Sequence, residues 1–229
     1  MKVTIIHGSP RNGNTGTAER FFTDELVHCG DVEFTDVFPL KALPAFCIGC
    51  QRCLGGESCP HAQHVEPVLE AVLAADALVI TSPHYGASTM PASLKNLFDH
   101  LDFLALAVSP REEMFGKRAF IITTGSGSKA AIGTIAGCLK NWGINCVHSF
   151  GMRMLTNAWD KMPKQKQARF ENSLRRAARR FYAEKRGKPY LYTVFMYYLS
   201  RFILRRYVGS GSYPYNYWDE RGWFQKRPF

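Results

Sequence analysis

Val3-Thr4-Ile5-Ile6-His7-Gly8-Ser9-Pro10-Arg11-Asn12-Gly13-Asn14-Thr15 decides the fold. An apolar run of one strand's length leads into a turn rich in glycine and hydroxyls, and an amphipathic stretch, 15–28, follows. A strand-to-helix turn of this composition points backbone N–H groups and a helix dipole at an anion. The spacing of Gly8, Gly13 and Thr15 imitates a nucleotide P-loop, but Asn14 stands where the phosphate-binding lysine belongs. A triphosphate is poorly served without that lysine. Ser9, Asn14, Thr15 and Thr17, with Arg11 nearby, suit a monophosphate dianion; a merely polar turn capped by Asn14 or Thr15 is the plainer reading.

The same alternation continues outward from this segment. Apolar runs at 3–7, 32–37, 77–82, 119–124 and 146–150 read as strands, and 15–28, 65–74, 91–104 and 130–142 read as helices. Pro91 suits a first helical turn, and Gly30 and Gly143 sit where helix ends want glycine. This order predicts an α/β fold, a doubly wound five-stranded parallel sheet with helices on both faces. Its ligand crevice should lie at the carboxyl ends of the strands, where the winding reverses.

Composition narrows the class. With 46% apolar and 21% charged residues in 229, the chain is long enough for one large domain and too apolar for disorder. The start of the sequence does not read as a signal peptide. Seven cysteines, four of them between Cys47 and Cys59, are too unevenly placed for a disulfide scaffold, and a reduced, cytoplasmic setting is expected. The net charge of +10 conceals a division. Residues 1–160 carry 12 Lys+Arg against 15 Asp+Glu, whereas 161–229 carry 17 against 4. Any attraction to an acidic partner therefore concerns the tail.

Two more strands end in loops of the same kind. The third leaves through Thr81-Ser82-Pro83-His84-Tyr85-Gly86-Ala87-Ser88, the fourth through Thr123-Thr124-Gly125-Ser126-Gly127-Ser128. One loop for a phosphate and two offering amides and a Tyr face suit a mononucleotide with a flat ring. Taken singly, Tyr85 could equally be a packing aromatic and Gly125-Ser126-Gly127 a simple turn.

Together with Leu94-Lys95-Asn96-Leu97-Phe98-Asp99, the loops at His7–Thr15 and Thr81–Gly86 resemble the flavodoxin-like NAD(P)H-dependent FMN reductases over about residues 1–155. The resemblance implies a flavodoxin-like fold and bound FMN. The phosphate would lie in the loop carrying Ser9, Arg11, Asn14, Thr15, Gly16 and Thr17. The ring would lie over Pro83, His84, Tyr85 and Gly86 and over Thr124, Gly125, Ser126 and Gly127. His84 departs from the family's usual pattern at this position; it could contact substrate or ring, or face solvent.

Cys47-Ile48-Gly49-Cys50-Gln51-Arg52-Cys53-Leu54-Gly55-Gly56-Glu57-Ser58-Cys59 places four thiols in thirteen residues. Two Cys-x2-Cys steps share Cys50, unlike the separated knuckles of most zinc sites. A cluster, free or redox-active thiols, and zinc are the three alternatives. The spacing resembles the iron–sulfur flavoprotein branch of the same fold, which implies a [4Fe–4S] cluster on Cys47, Cys50, Cys53 and Cys59. His61 and His64 read as surface residues, and Cys29, Cys138 and Cys146 as inert core thiols.

Beyond the sheet, 161–185 reads as a basic amphipathic helix and 190–208 as a second helix dense in Tyr, Phe, Leu and Ile. From Gly209 the composition suggests an extended arm. The division expected is 1–155 for the FMN-binding domain, 156–186 for its terminal helix and 187–229 for an aromatic and basic extension. The aromatics of the extension should pack on the body or a second subunit, as in a homodimer or tetramer, with arginines at the rim. An interfacial helix on an anionic membrane is the weaker alternative, and no nucleic-acid module accompanies the run Arg175–Arg180.

Two functions follow. One is an enzyme moving electrons from NAD(P)H through FMN to a small acceptor such as a quinone, free flavin, nitro or azo compound; it needs no catalytic triad, and none is visible. The other is an electron carrier using FMN and a [4Fe–4S] cluster. A flavin-binding or membrane-surface protein without turnover is a third, weaker class.

Overall fold

The computed structural model describes residues 1–84, 90–154, 156, 158–184 and 190–229. Five strands form one parallel sheet in the order β2-β1-β3-β4-β5. They are β1 (Lys2–His7), β2 (Glu33–Val37), β3 (Ala77–Pro83), β4 (Arg118–Thr124) and β5 (Cys146–Met152). The helices are α1 (Asn14–Cys29), α2 (Pro39–Ala42), α3 (Ala62–Ala74), α4 (Ala92–His100), α5 (Ser128–Asn141), α6 (Lys164–Ala183), α7 (Leu191–Ile203) and α8 (Tyr213–Glu220). The doubly wound α/β sheet is the one the alternation predicts. Because β1 pairs with β2 on one side and β3 on the other, the winding reverses between β1 and β3.

Strand residues alternate between two cores, as the two-residue pleat requires. Val3, Ile5, Ala77, Val79, Phe120 and Ile122 pack on α1 and α6. Ile6, Leu78, Ile80, Ala119 and Ile121 pack on α3, α4 and α5. Both faces of the central strands are buried, which explains their continuous apolar runs.

The basic helix α6 is tied down by its charges. Glu25 on α1 accepts from Arg179 Nε at 2.5 Å and from Arg175 Nη1 at 3.2 Å. Those bonds, that to Arg179 foremost, hold the Glu25 carboxyl below the usual carboxylate range. Arg175 also pairs with Glu171 one turn away. Much of the Arg175–Arg180 run is thus engaged by the protein itself.

Two expectations change. The helix expected over 91–104 ends at His100, and a 3-10 turn, Asp102–Leu104, follows; Pro91 sits at the cap position. The segment after Gly209 is not an extended arm. Ser212 and Pro214 start α8, whose Tyr217 and Trp218 join Trp223, Phe224, Tyr197 and Leu204 against Leu106 and Phe115 in a third core. Aromatic bulk supplied enough burial to fold a segment whose glycines and prolines suggested none.

At the carboxyl edge of the sheet, Gly8 N–H donates to Thr81 O at 2.7 Å. A Cβ at Gly8 would stand 2.5 Å from that carbonyl oxygen, a contact backbone cannot relieve. Gly8→Ala should therefore cost about 1–3 kcal/mol. Thermal unfolding checks this, with a melting temperature several degrees lower expected.

Candidate functional site

All five strands present their carboxyl ends at one edge, so the loops after β1, β3 and β4 lie together there. The first folds back on itself: Arg11 N–H donates to Ser9 Oγ and Gly13 N–H to Arg11 O. Gly13 occupies the cap position of α1, no side chain caps that end, and the first turn holds no acid. Its leading N–H groups have no partner within the helix. A cavity of about 280 Å3 opens beside them, lined among others by Ser9, Arg11, Thr15, Gly16 and Arg20. Glu19 also reaches it, with its carboxyl pKa pushed up by burial against the pull of His7.

Thr15 ties the first loop to the third. Its Oγ1 lies 2.6 Å from Thr124 Oγ1, both residues buried. A hydroxyl that accepts there keeps its own proton for a further acceptor. Asn14 Nδ2 donates to Thr156 O, which turns the amide toward the segment after β5 and leaves Oδ1 buried without a partner. Thr17 Oγ1 accepts from Arg20 at 3.4 Å.

The β3 and β4 loops meet through His84. Its N–H donates to Thr124 O at 2.8 Å, and Ser126 Oγ lies 3.5 Å from Nδ1. The imidazole lies across the β4 loop: a Cβ on Gly127 would be 2.1 Å from Nε2, and one on Gly125 2.7 Å from the His84 Cβ. His84 Nε2 is buried and unpartnered, as is Thr123 Oγ1. The structure thus brings Ser9, Arg11, Asn14, Thr15, Gly16, Thr17, Pro83, His84, Thr124, Gly125, Ser126 and Gly127 to one edge; Tyr85 and Gly86 lie outside the described residues. Three orphaned polar atoms, an uncapped helix start and a ring already resting on the glycine loop fit a phosphate-bearing ring compound.

The cysteine loop lies between α2 and α3. It bends at Gly49, Gln51 and Gly56, all at positive φ, and Gln51 is the one non-glycine residue so placed among the described residues. Such a residue costs about 1–2 kcal/mol. A 3-10 turn, Arg52–Gly55, presents Cys53. Burial pushes the Cys53 thiol up, and Cys59, Cys47 and Cys50 add to the shift, so the four groups feel one another. Yet no three of their sulfurs lie within 4.8 Å of one another.

Two α4 residues that sequence reasoning passed over hold this loop. Asn96 is buried; its Oδ1 accepts from Cys47 N–H at 2.9 Å and its Nδ2 donates to Ala45 O at 3.0 Å. His100, also buried, donates from Nε2 to Ala45 O, leaving Nδ1 facing Cys59 Sγ at 4.0 Å. An Asn and a His spaced i, i+4 on the helix face that also carries Leu97 were the available signal. His61 is not simply a surface residue: its N–H donates to Cys59 Sγ, its ring packs edge-on against His100, and its Nε2 is buried.

At the opposite edge of the sheet, Cys146, His148 and Glu184 lie close enough to share one ion. They satisfy one another instead, through a 2.6 Å His148–Glu184 pair and a 3.3 Å Cys146–His148 contact. Burial and then Glu184 push the Cys146 thiol up to about 12.

An open parallel α/β sheet whose glycine- and hydroxyl-rich loops meet at its switch point defines a flavodoxin-like protein. The sequence pattern of the NADPH-dependent FMN reductases matches residues 1–152. An iron–sulfur flavoprotein of Methanocaldococcus jannaschii is 31% identical over 134 residues, covering 58% of this chain and 68% of the relative. A second from that organism is 30% identical over 205 residues, covering 82% of this chain and 100% of the relative. An FMN-dependent NADH-azoreductase from Bacillus anthracis, solved with FMN, shares the fold at a TM-score of 0.60 and 12% identity, covering 80% of this chain and 100% of that one. The chain belongs to the NADPH-dependent FMN reductase family and to its NAD(P)H-dependent flavin oxidoreductase class.

Two outcomes check the cysteine-loop geometry. Asn96→Ala leaves the Cys47 N–H without its acceptor, at about 1–3 kcal/mol; iron bound per chain after anaerobic reconstitution should fall while flavin is kept. In the iron-free, reduced protein, alkylation at pH 8 followed by peptide mass analysis should find exposed Cys50 modified long before Cys146.

Proposed function

We propose that this chain carries electrons from NAD(P)H through FMN, held at the carboxyl edge of β1, β3 and β4, to a small acceptor such as a quinone, free flavin, nitro or azo compound. The observation that carries this reading is the uncapped start of α1 beside a cavity lined by Ser9, Arg11, Thr15 and Gly16. FMN, when bound, supplies the redox chemistry, so the protein's task is binding, orientation and exclusion of water.

In this reading the first-turn amides of α1 and the hydroxyls of Ser9, Thr15 and Thr17 bind the phosphate, and Arg11 balances its charge. The Gly125–Gly127 backbone offers a flat surface to the ring. His84 covers that surface, so it turns aside as the ring enters and brings its free Nε2 to the edge of the ring or substrate. The family resemblance assigns Tyr85 and Gly86, which lie outside the described residues, to the ring as well. In a homodimer or tetramer, a neighbouring subunit would close the same crevice.

A second reading is favoured by the cysteine loop. Cys47, Cys50, Cys53 and Cys59 would hold a [4Fe–4S] cluster, and the protein would pass single electrons to a carrier. The grouping of the four thiols on one short loop that bends at Gly49, Gln51 and Gly56 supports it.

Anaerobic purification followed by cofactor, iron and sulfide analysis separates the two. FMN without iron favours the reductase, FMN with stoichiometric iron and sulfide the carrier, and recovery of FAD or a nucleoside triphosphate as the tight ligand would sink both. Thr15→Ala removes a hydrogen bond to a charged group, about 1.5–3 kcal/mol, so FMN should bind roughly 10- to 150-fold more weakly. Titration of the apoprotein by flavin fluorescence reads this; unchanged affinity refutes the assignment of the first loop.

A further inference from the structure

Helix α7 is mounted with its more apolar side outward. The side packed on the protein carries Thr193, Tyr197, Ser200 and, one turn on, Leu204, all buried. The opposite side carries Leu191, Phe195, Tyr198 and Phe202 at the same i, i+4, i+7, i+11 spacing, with Leu191 89%, Phe195 61% and Phe202 58% exposed. Nine of the thirteen large apolar side chains exposed among the described residues fall between Tyr190 and Val208. The third core is complete without them. The sequence pattern led us to expect these aromatics to pack on the body or on a second subunit, and within one chain one face packs on nothing. A continuous patch of this kind marks a binding surface.

Charge decides what binds. Tyr190 to Val208 contains Arg201, Arg205 and Arg206 and no acid, and Lys185, Arg186 and Lys188 precede it in sequence. Arg206 is exposed beside Tyr207, its guanidinium 5.9 Å from that ring. Two such faces pressed together would set Arg201, Arg205 and Arg206 against their own copies, and the stretch 190–208 carries no acid to answer them. An anionic lipid surface answers exposed Arg206 and the remaining donors of exposed Arg205, whose Nη2 donates to Phe224 O, while Phe, Leu and Tyr side chains enter the headgroup boundary. Among the described residues no helix is long and apolar enough to cross a membrane, so the helix would lie flat.

We propose that α7 and the turn Leu204–Val208 dock this protein on the surface of an anionic phospholipid membrane. The outer stripe Leu191, Phe195, Tyr198 and Phe202 inserts at the headgroup boundary, and Arg205 and Arg206 meet lipid phosphates. This docking is independent of the redox reading above.

Co-sedimentation of the full chain with its cofactor tests the proposal, using vesicles of phosphatidylcholine alone and of phosphatidylcholine with phosphatidylglycerol. Binding is expected only to the anionic vesicles, weakened by salt. Arg206→Gln should lower it roughly fivefold, and Phe195→Ser with Phe202→Ser by at least tenfold or so for each ring. Flavin absorbance and melting temperature, unchanged in every variant, confirm intact folding. Failure of the parent protein to bind anionic vesicles, or undiminished binding of the double Phe variant, overturns the proposal. Light scattering provides the rival outcome: if the double Phe variant forms a smaller particle than the parent, a second copy covers this face and the proposal fails.

Discussion

The Gly8 amide reaches the Thr81 carbonyl at 2.7 Å, and that bond closes the sheet at the point where its winding reverses. Residue 8 has to be glycine because a Cβ would strike the same oxygen. With β1 and β3 held this close, the loops that leave them start side by side. The one after β1 turns into α1 without a capping side chain, and the one after β3 carries His84 across to the β4 loop. Thr15 then reaches Thr124, so three loops share one short chain of contacts. The anion-binding end of α1 and the glycine surface at Gly125–Gly127 face one crevice for this reason.

The sheet was legible because parallel strands buried on both faces advertise themselves as short apolar runs, and 77–82 and 119–124 need no tertiary information to be found. The loops were legible because a missing lysine and a glycine–hydroxyl mixture are chemical statements in themselves. Orientation was not legible. Nothing in the spacing of Asn14 says that its amide turns to Thr156, and nothing near His84 says that its ring rests on Gly127. Asn96 and His100 were missed because their partners, Ala45, Cys47 and Cys59, lie about forty to fifty residues away and belong to an irregular loop. The helix α8 was missed because local propensity opposes it, and only the aromatic core formed with α7 outweighs the glycines.

Helix α4 links the two candidate redox centres. Its first residues follow the β3 loop, and its buried side chains Asn96 and His100 fix the backbone at Ala45 and Cys47 and face Cys59. A rigid helix of nine residues therefore sets the position of the cysteine loop relative to the flavin loops. Helix α4 is itself fixed in the first core, where it buries Leu94, Leu97 and Phe98.

The tail reaches the same loop from the other side. Tyr213, at the start of α8, packs on Gly56, just past the turn that presents Cys53. Tyr217 donates to Pro110 O at 2.7 Å and Tyr197 to Trp223 O at 2.6 Å. The Tyr190 hydroxyl oxygen accepts from Val147 N–H at 3.2 Å, which pins the start of α7 to the edge strand. The extension is thus fastened at the beginning of β5, along the third core and at the cysteine loop. Helix α7 is held at its start by Val147 and along its inner side by the third core, and an outer stripe on a helix so fixed loses little conformational entropy when it is covered. That is why α7 can afford to face outward with its phenylalanines: the free energy that keeps it in place comes from Tyr197, Trp218 and Trp223 on its inner side, and the outer face is left for a partner.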